Sequence, residues 1–217
     1  MAKAPLPGGV KTRLCPPLVP EQAASLARCF LLDSLAKARG TAGTSTYLAY
    51  SPAGAQDAFR GLADNAIFRI PQQGHDLGER MDRLSRRLLG AGHPAVIILG
   101  TDTPTLPASI LAGAVVGLAG GRAELVLGPS EDGGYYLIGL RRPLSELFVG
   151  ISWGTPTVLA ETRERAGRLG LRTTLLPTWY DVDTPPDLAR LQAELRMDRA
   201  STAPHTAAFL QRLTLGQ

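Results

Sequence analysis

The chain has 217 residues, 44% of them hydrophobic and 19% charged, with a formal net charge of +4. That length supports one domain with a full buried core, and the composition is too apolar for a disordered segment. No block of like charges forms a nucleic-acid arm, no apolar run nears the roughly 18 residues of a membrane span, and no signal peptide precedes the first motif. Cys15 and Cys29 lack metal-ligand spacing and read as free thiols of a reducing compartment. The expectation is a soluble cytoplasmic protein that binds neither nucleic acid nor membrane.

In chain order, Glu21 to Arg39 reads as a helix with Ala23, Leu26, Ala27, Phe30, Ser34, Leu35 and Ala38 on one face. Thr44 to Tyr50 is strand-like and is closed by Ser51-Pro52. Gln56 to Ala63 reads as a short helix and Phe68 to Pro71 as a short strand. Asp76 to Leu89 places Leu77, Met81, Leu84 and Leu88 at helical spacing. Its arginines, Arg80, Arg83, Arg86 and Arg87, suit either a solvated helix face or an anionic substrate. Ala95 to Leu99 is an unbroken apolar run, as expected of a strand buried on both faces. Pro107 to Leu118 follows as a helix with proline at its start.

A strand from Leu125 then leads into an acidic, glycine-rich turn and a second strand, Tyr135 to Leu140. A helix from Thr155 to Leu169, a strand from Thr173 to Leu176 and a helix from Pro185 to Met197 complete the body. Strands alternating with helices predict a three-layer α/β/α domain with a mostly parallel central sheet, covering 1–197. From Asp198 a polar linker and a short amphipathic helix (Phe209, Leu210, Leu213) form a tail suited to pack on a partner, as in a homodimer.

Four segments carry candidate chemistry. In the turn Gly128-Pro129-Ser130-Glu131-Asp132-Gly133-Gly134-Tyr135, adjacent glycines allow positive φ and close approach of a ligand, and the acids can meet sugar hydroxyls or a metal. An ordinary Asp-Gly hairpin explains the same residues. The strand ending at Leu99 runs into Gly100-Thr101-Asp102-Thr103-Pro104, which sets Asp102 at the strand's carboxyl rim, where such sheets bind ligands. A carboxylate there needs a cation or donors.

In Asp181-Val182-Asp183-Thr184-Pro185, alternation puts Asp181 and Asp183 on one side, although Asp183 or Thr184 also suits a helix cap. Two turns each offering a carboxylate fit Mg²⁺ or Mn²⁺ that also holds a diphosphate. The complement is the loop Lys3-Ala4-Pro5-Leu6-Pro7-Gly8-Gly9-Val10-Lys11-Thr12-Arg13-Leu14. Its backbone N–H groups, Lys11, Thr12 and Arg13 can wrap phosphates, although the spacing is not that of a P-loop.

Taken together, Lys3-x-Pro5-x-Pro7-Gly8-x-Val10-Lys11-Thr12-Arg13-Leu14, Asp76-Leu77-Gly78-Glu79-Arg80-Met81, Gly100-x-Asp102-x-Pro104, Asp132-Gly133-Gly134-Tyr135-Tyr136 and Asp181-x-Asp183-Thr184-Pro185 resemble one family. It is the DUF2064, or arsenosugar-biosynthesis-type, family of small bacterial glycosyltransferase-A-like proteins. The resemblance runs from Lys3 to about Leu195. It implies a nucleotide-diphospho-sugar transferase fold that binds a nucleotide at the carboxyl rim of the sheet.

By the same resemblance, Lys3, Lys11, Thr12, Arg13 and Arg80 would contact the nucleotide, chiefly its phosphates. Asp102 and Asp183 would hold Mg²⁺ or Mn²⁺. Asp132, with Gly133, Gly134 and Tyr135, would line the acceptor or sugar pocket, and Asp132 would orient or deprotonate the acceptor. Trp153 either closes over a sugar or base or is a core tryptophan. Relatives carry a short apolar run before Lys3, whereas only Met1 and Ala2 precede it here, so either the natural start lies upstream, which is the expectation, or the chain lacks that first strand.

The first function expected is metal-dependent transfer from a nucleotide sugar to a small-molecule acceptor, by direct displacement because no nucleophile stands out. The alternatives are nucleotidyl transfer from an NTP with release of pyrophosphate, and a domain that binds nucleotide without turnover. No G-x-G-x-x-G opens a helix after a strand, which disfavours oxidoreductase chemistry. His75, His93 and His205 lie near no nucleophile-elbow motif, which disfavours a serine hydrolase.

Overall fold

The computed structural model describes residues 1–62, 67–197 and 202–215. Ala63, where the second expected helix was to end, and residues 198–201 of the expected linker lie outside them. The chain divides into two compact units. The first takes Met1–Pro71, Thr101–Ala108 and Asp181–Gln217, and the second takes Gln72–Gly100 and Ser109–Tyr180.

In the first unit, strands β1 (Ala2–Lys3), β2 (Tyr47–Ser51) and β3 (Phe68–Pro71) form a parallel sheet in that order. The first strand is present as two residues, with Ala2 opposite Tyr50 and Lys3 opposite Ser51. The ladder continues as Ala4 N–H donates to the Ser51 carbonyl at 2.7 Å. Helix α1 (Pro20–Gly40) follows the expected stripe: Ala23, Leu26, Phe30, Ser34 and Leu35 are buried, and Ala27 and Ala38 are half-buried. Leu31 and Leu35 pack with Ala2, Ala4, Leu48, Tyr50, Phe59 and Leu62 in one core cluster. The expected helix at Gln56 is a single 3-10 turn, Gln56–Phe59, whose Phe59 is fully buried.

Sequence periodicity did not single out Asp33, which lies on the buried side of α1 at 1% exposure. Its carboxylate accepts from His205 N–H (3.0 Å), Thr206 N–H (2.9 Å) and the Thr206 hydroxyl (2.6 Å). Those donors open the carboxyl-terminal helix Pro204–Leu215, which packs against α1 and buries Ala207 and Leu210. A carboxylate at a helix amino terminus satisfies its orphan N–H groups and complements its dipole.

In the second unit, helix α2 (Leu77–Gly90) is capped by Asp76, whose side chain accepts from Glu79 N–H at 2.8 Å. Met81, Leu84 and Leu88 are buried as the spacing predicts, but Leu77, at the first turn, is 47% exposed. Strands β4 (Val96–Leu99), β5 (Leu125–Pro129), β6 (Tyr135–Leu140) and β7 (Thr173–Leu175) form a mixed sheet in the order β4-β6-β5-β7. The α/β class holds. The expected mostly parallel arrangement gives way here, because β6 runs antiparallel to both neighbours and only β5 and β7 are parallel.

The reason is the length of the connection. The turn between β5 and β6 is far shorter than the dozen or more residues that a parallel crossover needs. β4 alternates buried Val96 and Ile98 with half-buried Ile97 and Leu99, so it is less enclosed than an unbroken apolar run suggests. β5, between two neighbours, is buried throughout. Helices α3 (Ala108–Ala119), α4 (Val158–Arg168) and α5 (Pro185–Met197) fall where the sequence predicts them, with α3 displaced by one residue and α4 shorter than expected at both ends. With the carboxyl-terminal helix as α6, none of the described helices is long and apolar enough to cross a membrane.

Candidate active site

Three residues from distant parts of the sequence meet in the first unit. Lys11 Nζ lies 2.6 Å from Asp102 Oδ1 and 2.8 Å from Asp183 Oδ1. The two carboxylate oxygens can therefore be no farther apart than those two contacts laid end to end. Oxygens that share one hard ion lie within about 4–5 Å of each other, so the two acids stand close to that spacing. The Lys11 side chain is 6% exposed, whereas those of Asp102 and Asp183 are 45% and 41% exposed, so the acids keep open sides.

Each corner has its own local cause. After β1 the chain turns tightly: Leu6 N–H donates to the Ala4 carbonyl at 2.8 Å and Gly9 N–H to the Leu6 carbonyl at 2.9 Å, with Gly8 at φ 70°. Lys11 then takes a left-handed conformation, φ 49° and ψ 34°, and is the only non-glycine residue with positive φ among the described residues. The 3-10 turn Thr12–Leu14 follows, pinned by fully buried Leu14. Phe30, from α1, lies under the ammonium with its ring centroid 5.5 Å from Nζ. Burial pushes the Lys11 pKa down, but Asp102 and then Asp183 outweigh it and hold the pKa above the ordinary lysine value.

Asp102 sits on the turn Thr101–Ala108, which is tied down from two sides. Its own carbonyl accepts from Val182 N–H at 2.9 Å, and Lys37 Nζ donates to the Pro104 carbonyl. The buried Thr105 hydroxyl donates to Glu194 at 3.3 Å. Burial lowers the Lys37 pKa to about 8, with Asp33 and Glu194 opposing the shift.

Asp183 is positioned by Val182, which is fully buried beside it, and by Asp187. The Asp187 carboxylate accepts from Asp183 N–H (3.1 Å), Thr184 N–H (2.8 Å) and the Thr184 hydroxyl (2.6 Å). Burial pushes its pKa up, but these donors and nearby Arg13 outweigh it and hold the carboxyl below its ordinary value. Asp183 is thus anchored through its backbone by the first turn of α5, while its side chain points to Lys11. Thr12, Arg13 and Lys3 are all exposed. The resemblance assigned Lys11 to phosphates, and in this structure its ammonium instead bridges the two acids.

The remaining expected residues belong to the second unit. Asp132, exposed, accepts at Oδ1 from Gly134 N–H at 2.9 Å, while Ser130 N–H donates to the Gly134 carbonyl at 3.0 Å. Gly133 has φ 89°, and a Cβ there would lie 2.1 Å from the Pro156 carbonyl oxygen. Tight packing against Pro156 therefore accounts for that glycine without a ligand. Tyr135 has a buried hydroxyl whose pKa is raised by burial, with the Thr162 hydroxyl opposing the shift, and its ring meets Trp153 edge-on at 6.4 Å.

Trp153 is half-buried and covers Gly78, where an added Cβ would fall 2.6 Å from the indole, so part of the ring packs on α2. Arg80 Nε donates to the Gly74 carbonyl at 3.0 Å, which ties the guanidinium to the loop before its own helix. Asp187, Lys37 and Phe30 all lie inside segments whose spacing predicts only a helix. Their roles at the site depend on neighbours that no local spacing reveals.

Among the described residues no three His, Cys, Asp or Glu side chains gather to hold a metal. Two carboxylates straddling a single cation do suit Mg²⁺ or Mn²⁺ of the kind that takes one or two protein carboxylates and completes its shell with substrate phosphates and water. The donor set therefore fits such an ion.

A family model described as an uncharacterized protein conserved in bacteria (DUF2064) matches residues 34–155, more than half of the chain. A solved structure from Desulfovibrio desulfuricans G20, described as a "putative nucleotide-diphospho-sugar transferase", is similar at 33% identity and a TM-score of 0.88, covering 97% of this chain and 91% of that one. CMP:2-keto-3-deoxy-manno-octonic acid synthetase in complex with CTP shares the fold at 14% identity and a TM-score of 0.56, over 78% and 88% of the two chains. Rv0371c from Mycobacterium tuberculosis H37Rv does so at 18% identity and a TM-score of 0.51, over 88% and 94%. No curated protein matches the chain.

Proposed function

Because this chain belongs to the DUF2064 family and has the fold of nucleotide-diphospho-sugar transferases, we propose that it transfers a sugar from a nucleotide-diphospho-sugar to a small-molecule acceptor. The observation that carries this reading is the convergence of Asp102 and Asp183 on one cation position, with Lys11 between them. Asp102 and Asp183 would hold Mg²⁺ or Mn²⁺, which when bound supplies positive charge against the leaving diphosphate.

The chain's own part is electrostatic and positional. Lys11 and Arg13 bring positive charge to the loop that precedes α1, where a departing nucleoside diphosphate needs it. Asp187 and Lys37 keep the two acidic turns in place, so no reorganisation is needed when charge develops. The acceptor hydroxyl attacks the anomeric carbon, the bond from that carbon to the diphosphate oxygen breaks, and the hydroxyl proton passes to a general base or to water.

The test is a panel of UDP-, GDP-, CDP- and dTDP-sugars with Mn²⁺, read by melting temperature and by release of nucleoside diphosphate. One donor class should raise the melting temperature, and Asp102→Asn should abolish that rise, read against the variant's own ligand-free melt, which should itself fall because Lys11 loses one of its two partners. Pyrophosphate released from an NTP, with no nucleoside diphosphate from any sugar donor, would replace this reading with nucleotidyl transfer. Binding without either product would make the chain a nucleotide-binding domain.

A further inference from the structure

The position expected to hold a divalent ion is taken, in this structure, by an ammonium group of the chain itself. We propose that Lys11 is the resident counter-ion of the Asp102–Asp183 pair, so that a divalent cation binds there only together with a phosphate-bearing ligand that draws the ammonium away. The inference rests on the metal-site part of the proposed function and not on which group is transferred.

Three features support it. First, Nζ contacts one oxygen of each acid, at 2.6 and 2.8 Å. A divalent ion held by Asp102 and Asp183 would need the oxygens that Lys11 already occupies and would place a double charge beside the ammonium. The two cations compete for the same oxygens. Second, Lys11 is held in a left-handed backbone conformation, which is unfavourable for any residue with a Cβ and persists where the surroundings over-determine it. What the loop secures by that conformation is the aim of the lysine.

Third, the ammonium is enclosed, with Phe30 beneath it and 6% of the side chain exposed, while the acids are open on their other sides. A bare dication reaching those open sides meets a pair whose two negative charges are half neutralised, and expelling a buried ammonium without a new partner is unfavourable. A cation arriving with a diphosphate brings the oxygens to which Lys11 can turn. Lysine suits such a part, being a compact charge on a flexible four-carbon stem. The same residue then serves the acids in the resting state and the phosphates in the loaded state.

The experiment compares wild type with Lys11→Met, which keeps the stem and the backbone preference but removes the charge. Mn²⁺ binding and melting temperature are measured with Mn²⁺ alone, inorganic diphosphate alone, and both. Wild type should respond only to both together. Lys11→Met should bind Mn²⁺ alone roughly 10-fold or more tightly than wild type does, and its coupling between Mn²⁺ and diphosphate should shrink to match.

Lys11→Arg, which keeps the charge in a bulkier planar group, should still bind Mn²⁺ alone more weakly than Lys11→Met does. If Lys11→Met does not fold without metal, recovery of its melt on adding Mn²⁺ supports the proposal, and Lys11→Gln, which keeps a donor between the acids, serves for the binding measurement. Wild type responding to Mn²⁺ alone as strongly as Lys11→Met would overturn the proposal and leave the metal site standing. No response from either protein in any arm would overturn both. Failure to release nucleoside diphosphate from any sugar donor would remove the transferase reading without touching these arms.

Discussion

Replacing Asp187 by alanine tests whether the second acidic turn is held by the start of α5. The substitution removes an acceptor of three hydrogen bonds, from Asp183 N–H, Thr184 N–H and the Thr184 hydroxyl. Loss of a carboxylate that caps a helix start costs about 1 kcal/mol, and loss of its charge near the helix amino terminus adds up to about another 1 kcal/mol. For a chain of this size about 2 kcal/mol corresponds to a fall of roughly 4–8 °C in melting temperature. Asp187→Asn, which keeps an acceptor but not the charge, should fall by less than half as much.

The pH profile adds a signature. Burial pushes the Asp187 pKa up, but its donors and Arg13 bring it below the ordinary 3.8 in the folded chain. The folded state therefore binds fewer protons than the unfolded one around that pH. The contribution of the carboxylate is complete above about pH 4 and is lost as the pH falls through the folded value. The stability gap between wild type and Asp187→Asn should thus be flat from pH 7 to 5 and close on further acidification. Thermal melts across that range, with and without Mn²⁺ and diphosphate, read both effects. An alanine variant that melts with wild type and keeps its ligand response would refute the idea that Asp187 positions Asp183.

Two further outcomes follow from the packing. Asp33→Ala should leave three donors at the start of α6 without their acceptor, two of them on buried Thr206, at about 3 kcal/mol or more in total. Hydrogen exchange should then show α6 loosening before the rest of the chain, and uniform protection across α6 would contradict that role. Gly133→Ala places a Cβ 2.1 Å from the Pro156 carbonyl at φ 89°, so a loss of at least ~2 kcal/mol in a chemical melt is expected even without ligand. Wild-type stability in that variant would show that the glycine serves a ligand and not the packing.

The α/β class, most strand and helix positions and the two acids that meet at the site are legible in the chain itself, the turn at Gln56 excepted. Each of these is written in local pattern: the apolar stripe of α1, the apolar run of β4 ending just before Asp102, and the alternation around Val182. Local pattern also misled where a neighbour intervened. Leu77 fits a buried stripe yet is exposed at the first turn, and β6 could be assigned its antiparallel direction only from the shortness of the turn before it.

Which charges pair is fixed only in the folded chain. Lys11 and Asp183 are 172 positions apart, as are Asp33 and His205, and nothing in the residues around either member specifies the other. Helical and strand periodicities act over a few residues, whereas a buried charge is matched by whatever the folded chain brings within about 3 Å of it. That is why two aspartates could be read as a cation site from sequence, and why only the fold shows that a lysine of the same chain already stands between them.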